Sequence, residues 1–378
     1  MPETINPFGA PGDPVTRQRP YRCPYCFATF AMAGLRFSCD GGRHQDAGLF
    51  ASPLGRAHAP CPTCGVEAAR PRCGRCHRYL PDRHLETPML LIALAGPRNS
   101  GKTTYLAALF RRLDGVLADE CGYAMTAADD YTRAALKETF HIGDGEPLAA
   151  TRRGGGTHMQ IVIRLERTPQ PGRRFYARGR AKALTVVLFD AEGEDFDATR
   201  HHLDYFSQNE LGHLAAADAV LFMVDTAAIP GARSAADGSL DSAATTSAEV
   251  VEQVTRFLRG PRRRRDDKID VDAGLVLTKI DLARVDRGSM LRRPRPPVGY
   301  QANDRAAVHQ ELRARLREWE ARQTERIIEH AYRDYQLFGV SALGNDLKRG
   351  EWHPERIHPY RVEDPLLWLL AKAGFLEG

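Results

Sequence analysis

The chain has 378 residues, 53 Lys and Arg against 48 Asp and Glu, a formal net charge of +5, and 43% hydrophobic residues. That length suits one large domain and a smaller one around a well-buried core. No run of about 18 apolar residues occurs, so a membrane-spanning helix is not expected.

Residues 1–18 are rich in Pro and Gly with little to bury, and read as a disordered tail without the apolar stretch of an export signal. Residues 19–87 form a distinct region, since seven of the eight cysteines precede residue 77. Paired C-x-x-C motifs without an export signal point to metal in a reducing cytoplasm rather than to disulfides. Cys61, Cys64, Cys73 and Cys76 have zinc-ribbon spacing, two knuckles able to close one tetrahedron. Cys23 and Cys26 then need two more ligands. Cys39 is the expected third and His44 the expected fourth, with His58 and His77 as other candidates; a crossed pairing of the knuckles stays open. Closed four-ligand sites are structural, so zinc catalysis is not expected. Residues 1–87 together hold eleven Arg against seven acidic residues. Zinc-bound thiolates would offset most of that excess, which leaves nucleic acid possible but not favoured.

From residue 88 to 376 the texture is that of an α/β domain, a sheet flanked by helices on both faces. Strands are expected at Met89–Ala95, His158–Leu165, Leu184–Phe189, Ala219–Val224, Leu275–Leu277 and Gln336–Val340. Helical patterns fall at Lys102–Leu113, Ala127–Phe140, Ala248–Leu258 and Arg305–Arg333, with a closing helix at Asp364–Leu370. Residues 227–246 and 284–301 read as flexible insertions, and Arg262–Arg265 as a solvated charge run. Cys121 is expected to be a small core residue.

Four motifs in this domain carry chemistry. Gly96–Thr103 matches G-x-x-x-x-G-K-[ST] between a buried strand and a helix, the setting of a P-loop. Its glycines, with Ser100, Gly101 and Thr104, would cradle phosphates, Lys102 would bridge the β- and γ-phosphates, and Thr103 would bind Mg²⁺. Asp190-Ala-Glu-Gly193 ends an apolar strand, placing a carboxylate for Mg²⁺ and the Gly193 amide for the γ-phosphate. Thr278-Lys279-Ile280-Asp281 ends another: Asp281 can accept from N1–H and N2–H₂ of guanine, a donor pair that adenine lacks, while Lys279 covers the ring. Ser341 and Ala342 follow the last strand, where their amides could meet guanine O6.

In this order the four motifs resemble GTPases of the translation-factor-like class, which includes Ras-like and Era-like proteins, over Met89–Phe375. The C-P-Y-C-F at Cys23, the C-x-x-C-H-x-x-L-P at Cys73 and the D-P-L-L-W-L-L at Asp364 resemble the bacterial double-GTPase group of conflict-type gene systems. That resemblance implies a regulatory switch acting with a second GTPase or effector, or as a homodimer. Thr151 and Thr157 both suit the switch threonine; the resemblance favours Thr151. Glu194 stands where Ras-like proteins carry a water-orienting Gln, so slow hydrolysis is expected. Asn99 resembles the P-loop Asn of K⁺-stimulated GTPases. The expectation is therefore a Mg²⁺-dependent GTP/GDP switch with structural Zn²⁺; a non-hydrolysing scaffold and an RNA-associated GTPase are the rivals.

Overall fold

The computed structural model describes residues 21–39, 48–53, 55–140, 159–168, 183–190, 212–232, 247–260, 267–283, 285, 288–296, 299–344 and 357–376. The tail 1–18 and the run Arg262–Arg265 lie outside them, as does 233–246 of the first expected insertion.

The Cys-rich region is made of small pieces. Strands β1 (Tyr21–Arg22) and β2 (Thr29–Phe30) pair around Cys23–Cys26, and β3 (Ala59–Pro60) and β4 (Glu67–Ala68) around Cys61–Cys64. A third knuckle, Cys73–Cys76, is framed by bridges of Arg72 to Arg36 and Tyr79. All three are built alike. The first Cys amide donates to the carbonyl across the turn (Ala28, Val66, Arg78), and the residue after the second Cys donates back to the first. That following residue is left-handed in each: Phe27 at φ 60°, Gly65 at 72° and His77 at 58°.

The remaining strands form one mixed sheet: β5 (Met89–Ala95), β6 (Tyr123–Ala127), β7 (Met159–Arg167), β8 (Ala183–Asp190), β9 (Ala219–Asp225), β10 (Asp272–Thr278) and β11 (Tyr335–Gly339). Their order is β11-β10-β9-β5-β8-β7-β6. The first five are mutually parallel, while β7 and β6 are antiparallel additions at one side. The five parallel strands are apolar on both faces, as burial under helices on each side requires. One face takes Ile92, Leu94, Leu188 and Leu221 against α1 (Lys102–Gly115), α2 (Asp130–Phe140) and α7 (Asp364–Lys372). The other takes Ala93, Val220, Phe222 and Leu275 against α3 (Gly212–Ala215), α4 (Ser247–Arg259), α5 (Ala302–Glu318) and α6 (Arg322–Ala331). Beside it, Leu91, Val162 and Val187 are covered by Tyr25 and Phe27 of the first knuckle.

Three local expectations change. The edge strand β6 has no counterpart among the expected strands. The single helix expected over Arg305–Arg333 breaks into α5 and α6 at Trp319–Ala321, where Glu320 turns left-handed (φ 53°). The cause is tertiary: Trp319 is buried and its backbone lies against Gly231, where a Cβ would come within 2.6 Å. Part of the loop expected to be a flexible insertion is pinned, since Arg295 donates to Glu120 (2.8 Å) and to the Gly299 carbonyl (2.7 Å). Cys121 packs partly buried against the core, and burial pushes its thiol up to about 11. Among the described residues no helix is long and apolar enough to cross a membrane.

Candidate functional site

The parallel strands carry the motifs to one edge. Strand β5 lies between β8 and β9 in the sheet, although the chain runs on from it to β6 and β7. The connections therefore diverge to either side of it, and a sheet of this kind binds ligands beyond its carboxyl ends at such a divergence. Ala95, Asp190, Asp225, Thr278 and Gly339 all end strands on that edge.

The loop after β5 is tightly made. A Cβ at Gly96 would come within 2.6 Å of the Met223 carbonyl, so only glycine fits. Asn99 (φ 61°) and Gly101 (φ 83°) are left-handed, which turns the loop back before α1. No side chain caps the N-terminus of α1, so its positive end faces the loop. Lys102 is buried, and its Nζ donates to the loop's own carbonyls at Gly96 (2.8 Å) and Pro97 (3.2 Å). Ser100 is buried within the loop, while Thr103 and Thr104 are half-buried at its helical end. The Thr103 hydroxyl donates to Asp190 Oδ2 at 3.4 Å, so the two predicted Mg²⁺ ligands, one at the start of α1 and one at the end of β8, stand side by side.

The second half of the site is held to the first. Thr278 Oγ1 lies within bonding reach of the Ser100 (2.9 Å) and Val224 (3.1 Å) carbonyls. Lys279 is left-handed (φ 54°), and its ammonium bridges Asp225 (2.5 Å) and the Asn99 carbonyl (3.3 Å). Asp281 follows on a short 3₁₀ turn, half-buried. The Ser341 amide donates to the Tyr360 carbonyl (3.0 Å), and its hydroxyl accepts from the Gly344 amide (2.8 Å). Ser341 thus shapes the turn after β11 with both its amide and its hydroxyl.

Asp225 is a residue the sequence reasoning missed. It fixes Lys279 with one oxygen and accepts the Ala227 amide (2.8 Å) with the other. The signal was present: A-V-L-F-M-V-D ends an apolar strand in Asp just as L-T-V-V-L-F-D does at Asp190. Thr151, Thr157, Gly193 and Glu194 lie outside the described residues, as does His44.

The cysteines group differently from the expected pairing. Cys23, Cys26, Cys73 and Cys76 form one cluster, and Cys39, Cys61 and Cys64 a second. The 61/64/73/76 site is therefore overturned in favour of a crossed arrangement, because the third knuckle folds back through the Arg36–Arg72 bridge onto the first. Sulfur separations are 3.8 Å for Cys23–Cys76, 3.6 Å for Cys26–Cys73 and 3.6 Å for Cys39–Cys64. A tetrahedron with Zn–S bonds of about 2.3 Å has edges of about 3.8 Å. The donors fit zinc, and the spacing is far too long for disulfides. Tyr25 and Arg75 amides donate to the Cys23 and Cys73 sulfurs (3.4 and 3.3 Å), favouring thiolates. The hydrogen bond between the two thiols lowers Cys26 and raises Cys23, so Cys26 loses its proton first. His58, a candidate fourth ligand, pairs instead with Glu67 at the surface.

No protein-family model matches the chain. It is 24% identical over 329 residues to the putative ESX-1 scaffolding and assembly protein SaeC of Mycolicibacterium smegmatis, covering 80% of each chain. Among solved structures it is similar to the SRb–GTP/SRX signal recognition particle receptor complex of Chaetomium thermophilum, at TM-score 0.30 and 15% identity, covering 70% of this chain and 96% of that one. It is also similar to the GTP-bound Ski7 GTPase-like domain of S. cerevisiae (TM-score 0.32, 14% identity, 76% and 50% covered) and to the G domain of the T. maritima FeoB transporter (0.25, 15%, 76% and 97%).

Proposed function

We propose that the chain is a guanine-nucleotide-binding switch that hydrolyses GTP slowly. One observation supports this above the rest. The 96–103 loop, Asp190, the Thr278–Asp281 turn and Ser341 lie at one carboxyl edge of the parallel strands, with the two halves joined through Thr278–Ser100 and Lys279–Asn99.

The roles follow from chemistry. The uncapped start of α1 and the amides of the 96–103 loop receive phosphate oxygens. Lys102 would exchange its loop carbonyls for the β- and γ-phosphates and neutralise charge as it develops in the in-line attack of water. Thr103 and Asp190 would hold Mg²⁺, whose contribution is to draw negative charge from the phosphates. Asp281 would accept from the guanine edge, Lys279 would lie along the ring with its head fixed by Asp225, and the Ala342 amide would meet O6. Thr151, Gly193 and Glu194 keep their sequence-based roles, and Asn99 remains the candidate K⁺ ligand. Two structural zinc ions complete the reading, one on Cys23, Cys26, Cys73 and Cys76, the other on Cys39, Cys61 and Cys64, with His44 as its fourth donor. Hydrolysis is accelerated by K⁺, a second copy or a protein partner.

A second reading has one observation in its favour. The M. smegmatis relative is described as a scaffolding and assembly protein. On that reading the nucleotide only fixes a conformation for a protein partner, without turnover.

Titration of the purified full-length chain with fluorescent GTP against competing ATP and GDP tests the main reading. We expect GTP to outcompete ATP by at least ~100-fold, and Asp281→Ala to remove most of that preference, because the site relies on a donor pair adenine lacks. Equal competition by ATP overturns it. Phosphate release that Lys102→Ala abolishes excludes the scaffold reading, and a rate higher in KCl than in NaCl assigns Asn99 its role.

A further inference from the structure

The first zinc knuckle is built into the sheet that carries the nucleotide site. Arg22 bonds to the Ala216 carbonyl and the Asp218 carboxylate, which also accepts the Leu91 amide at 2.7 Å. The Gln160 side-chain amide on β7 donates to the Pro24 carbonyl. Gln160 is the cross-strand partner of Phe189, the residue before Asp190.

Phe189 is gripped from two sides. The Phe27 ring meets it edge-on at 5.8 Å and 77°, and the buried His213 ring stacks on it at 3.8 Å and 18°. Phe27 immediately follows the thiol of Cys26, and its amide donates to the Cys23 carbonyl at 3.0 Å. It is also left-handed, at φ 60°. A bulky residue at such a φ is strained, and is retained where the surroundings use it. Glycine occupies the equivalent position in the second knuckle without that strain.

We propose that Phe27 is a positioning residue for the Mg²⁺ ligand Asp190, acting through Phe189, so that the Cys23–Cys26–Cys73–Cys76 centre and the phosphate end of the nucleotide site are energetically coupled. The inference rests on the guanine-nucleotide reading. The physical argument is local. Strand β8 ends at Asp190, so the ladder to β5 gives its last restraint there, at Leu94. The sandwich of Phe27, Phe189 and His213 limits how far the final peptide of the strand can move. It thereby holds the Asp190 carboxylate within reach of Thr103. Coupling between two binding sites is reciprocal, so nucleotide with Mg²⁺ must in turn stabilise the knuckle.

The experiment uses the full-length, zinc-loaded protein. Retention of a fluorescent GTP analogue is titrated against Mg²⁺ for wild type, Phe27→Ala, Phe27→Tyr and Phe189→Leu. Zinc content and GTP-over-ATP preference are measured on each. We expect Phe27→Ala to raise the half-maximal Mg²⁺ concentration ~10-fold at unchanged zinc content and unchanged base preference, Phe27→Tyr to restore it, and Phe189→Leu to reproduce the loss. A Mg²⁺ dependence identical to wild type in Phe27→Ala overturns the inference alone. A loss of affinity equal with and without Mg²⁺ does the same. Should Phe27→Ala shed its zinc, Phe189→Leu decides, since that side chain belongs to the sheet. A wild type that binds no GTP overturns the nucleotide reading and this inference with it.

Discussion

The Cys-rich region and the seven-stranded sheet reach order by opposite routes. Strands of the sheet run five to nine residues and bury Leu, Ile, Val and Phe on both faces. Strands of the Cys-rich region are two residues long, and among the described residues its own buried cluster holds Leu35, Phe37, Ala59, Ala68 and Leu80 besides two cysteines. At roughly 1–2 kcal/mol of backbone entropy per residue, so small a core cannot order that length of chain unaided. The sheet is held by area removed from water; on the proposed reading the knuckles are held by bonds to zinc. The lesson is that damage to one should leave the other folded, except where Arg22, Phe27 and His84 join them.

The largest expected effect is at the thiols. Removing a ligand of a structural zinc site forfeits apparent binding free energy on the order of 10 kcal/mol. Cys73→Ser should lower zinc stoichiometry from two to one and render the 21–80 region protease-sensitive, with the far-UV signal of the sheet retained. The crossed grouping makes this sharper. Cys23→Ser and Cys73→Ser should lose the same ion and Cys61→Ser the other, which zinc analysis of the single and double variants reads directly. Loss of the same ion in Cys61→Ser and Cys73→Ser would restore the pairing expected from spacing.

A smaller effect is expected in the sheet domain. Leu367 on α7 is fully enclosed in the first core cluster. Leu367→Ala should cost about 2–5 kcal/mol, through lost burial plus the cavity left behind. Thermal unfolding followed at 222 nm should shift accordingly, with zinc still bound below the transition. Parallel loss of zinc at temperatures where the sheet is intact would erase the contrast between the regions.

The smallest effect lies at the junction. His84 is buried, and its Nε2–H donates to the Arg22 carbonyl at 2.8 Å. Burial pushes the imidazole below its ordinary 6.5, and the nearby Arg22 and Arg164 guanidiniums act in the same direction. Since the folded state favours neutral His84, the unfolded chain binds more protons below about pH 6.5. The stabilisation is therefore complete above that value and lost as pH falls through the depressed folded pKa. The melting temperature should rise by a few degrees between about pH 5.5 and about pH 7.5, and His84→Gln should flatten that slope. An unchanged slope would remove His84 from the junction.

How much of this was readable depended on how local the signal was. Strands β5, β8, β9 and β10 are apolar runs ending at turn or acidic residues, and each was placed to within a few residues. Strand β6 was not, because Y-A-M-T-A is a half-buried strand that, among the described residues, pairs with β7 on one side alone. Lys102, Thr103, Asp190, Thr278 and Lys279 are legible as motif positions because each proposed role demands a residue type at a fixed offset. Asp225 was missed because its role is defined by Lys279, fifty-four positions away in sequence. The Arg305–Arg333 helix was misread because the break comes from Gly231 meeting Trp319, a contact no helical period reveals.

Taken alone, the sequence determined that residues 89–376 form an α/β sheet and that three C-x-x-C turns precede it, since periodicity and thiol spacing are properties of short segments. Only the tertiary structure decided which knuckles share a cluster, that the first of them lies on β5, β7 and β8, and that Phe27 touches the residue before Asp190. Those are relations between surfaces distant along the chain, fixed by how whole elements pack rather than by any residue's own preference.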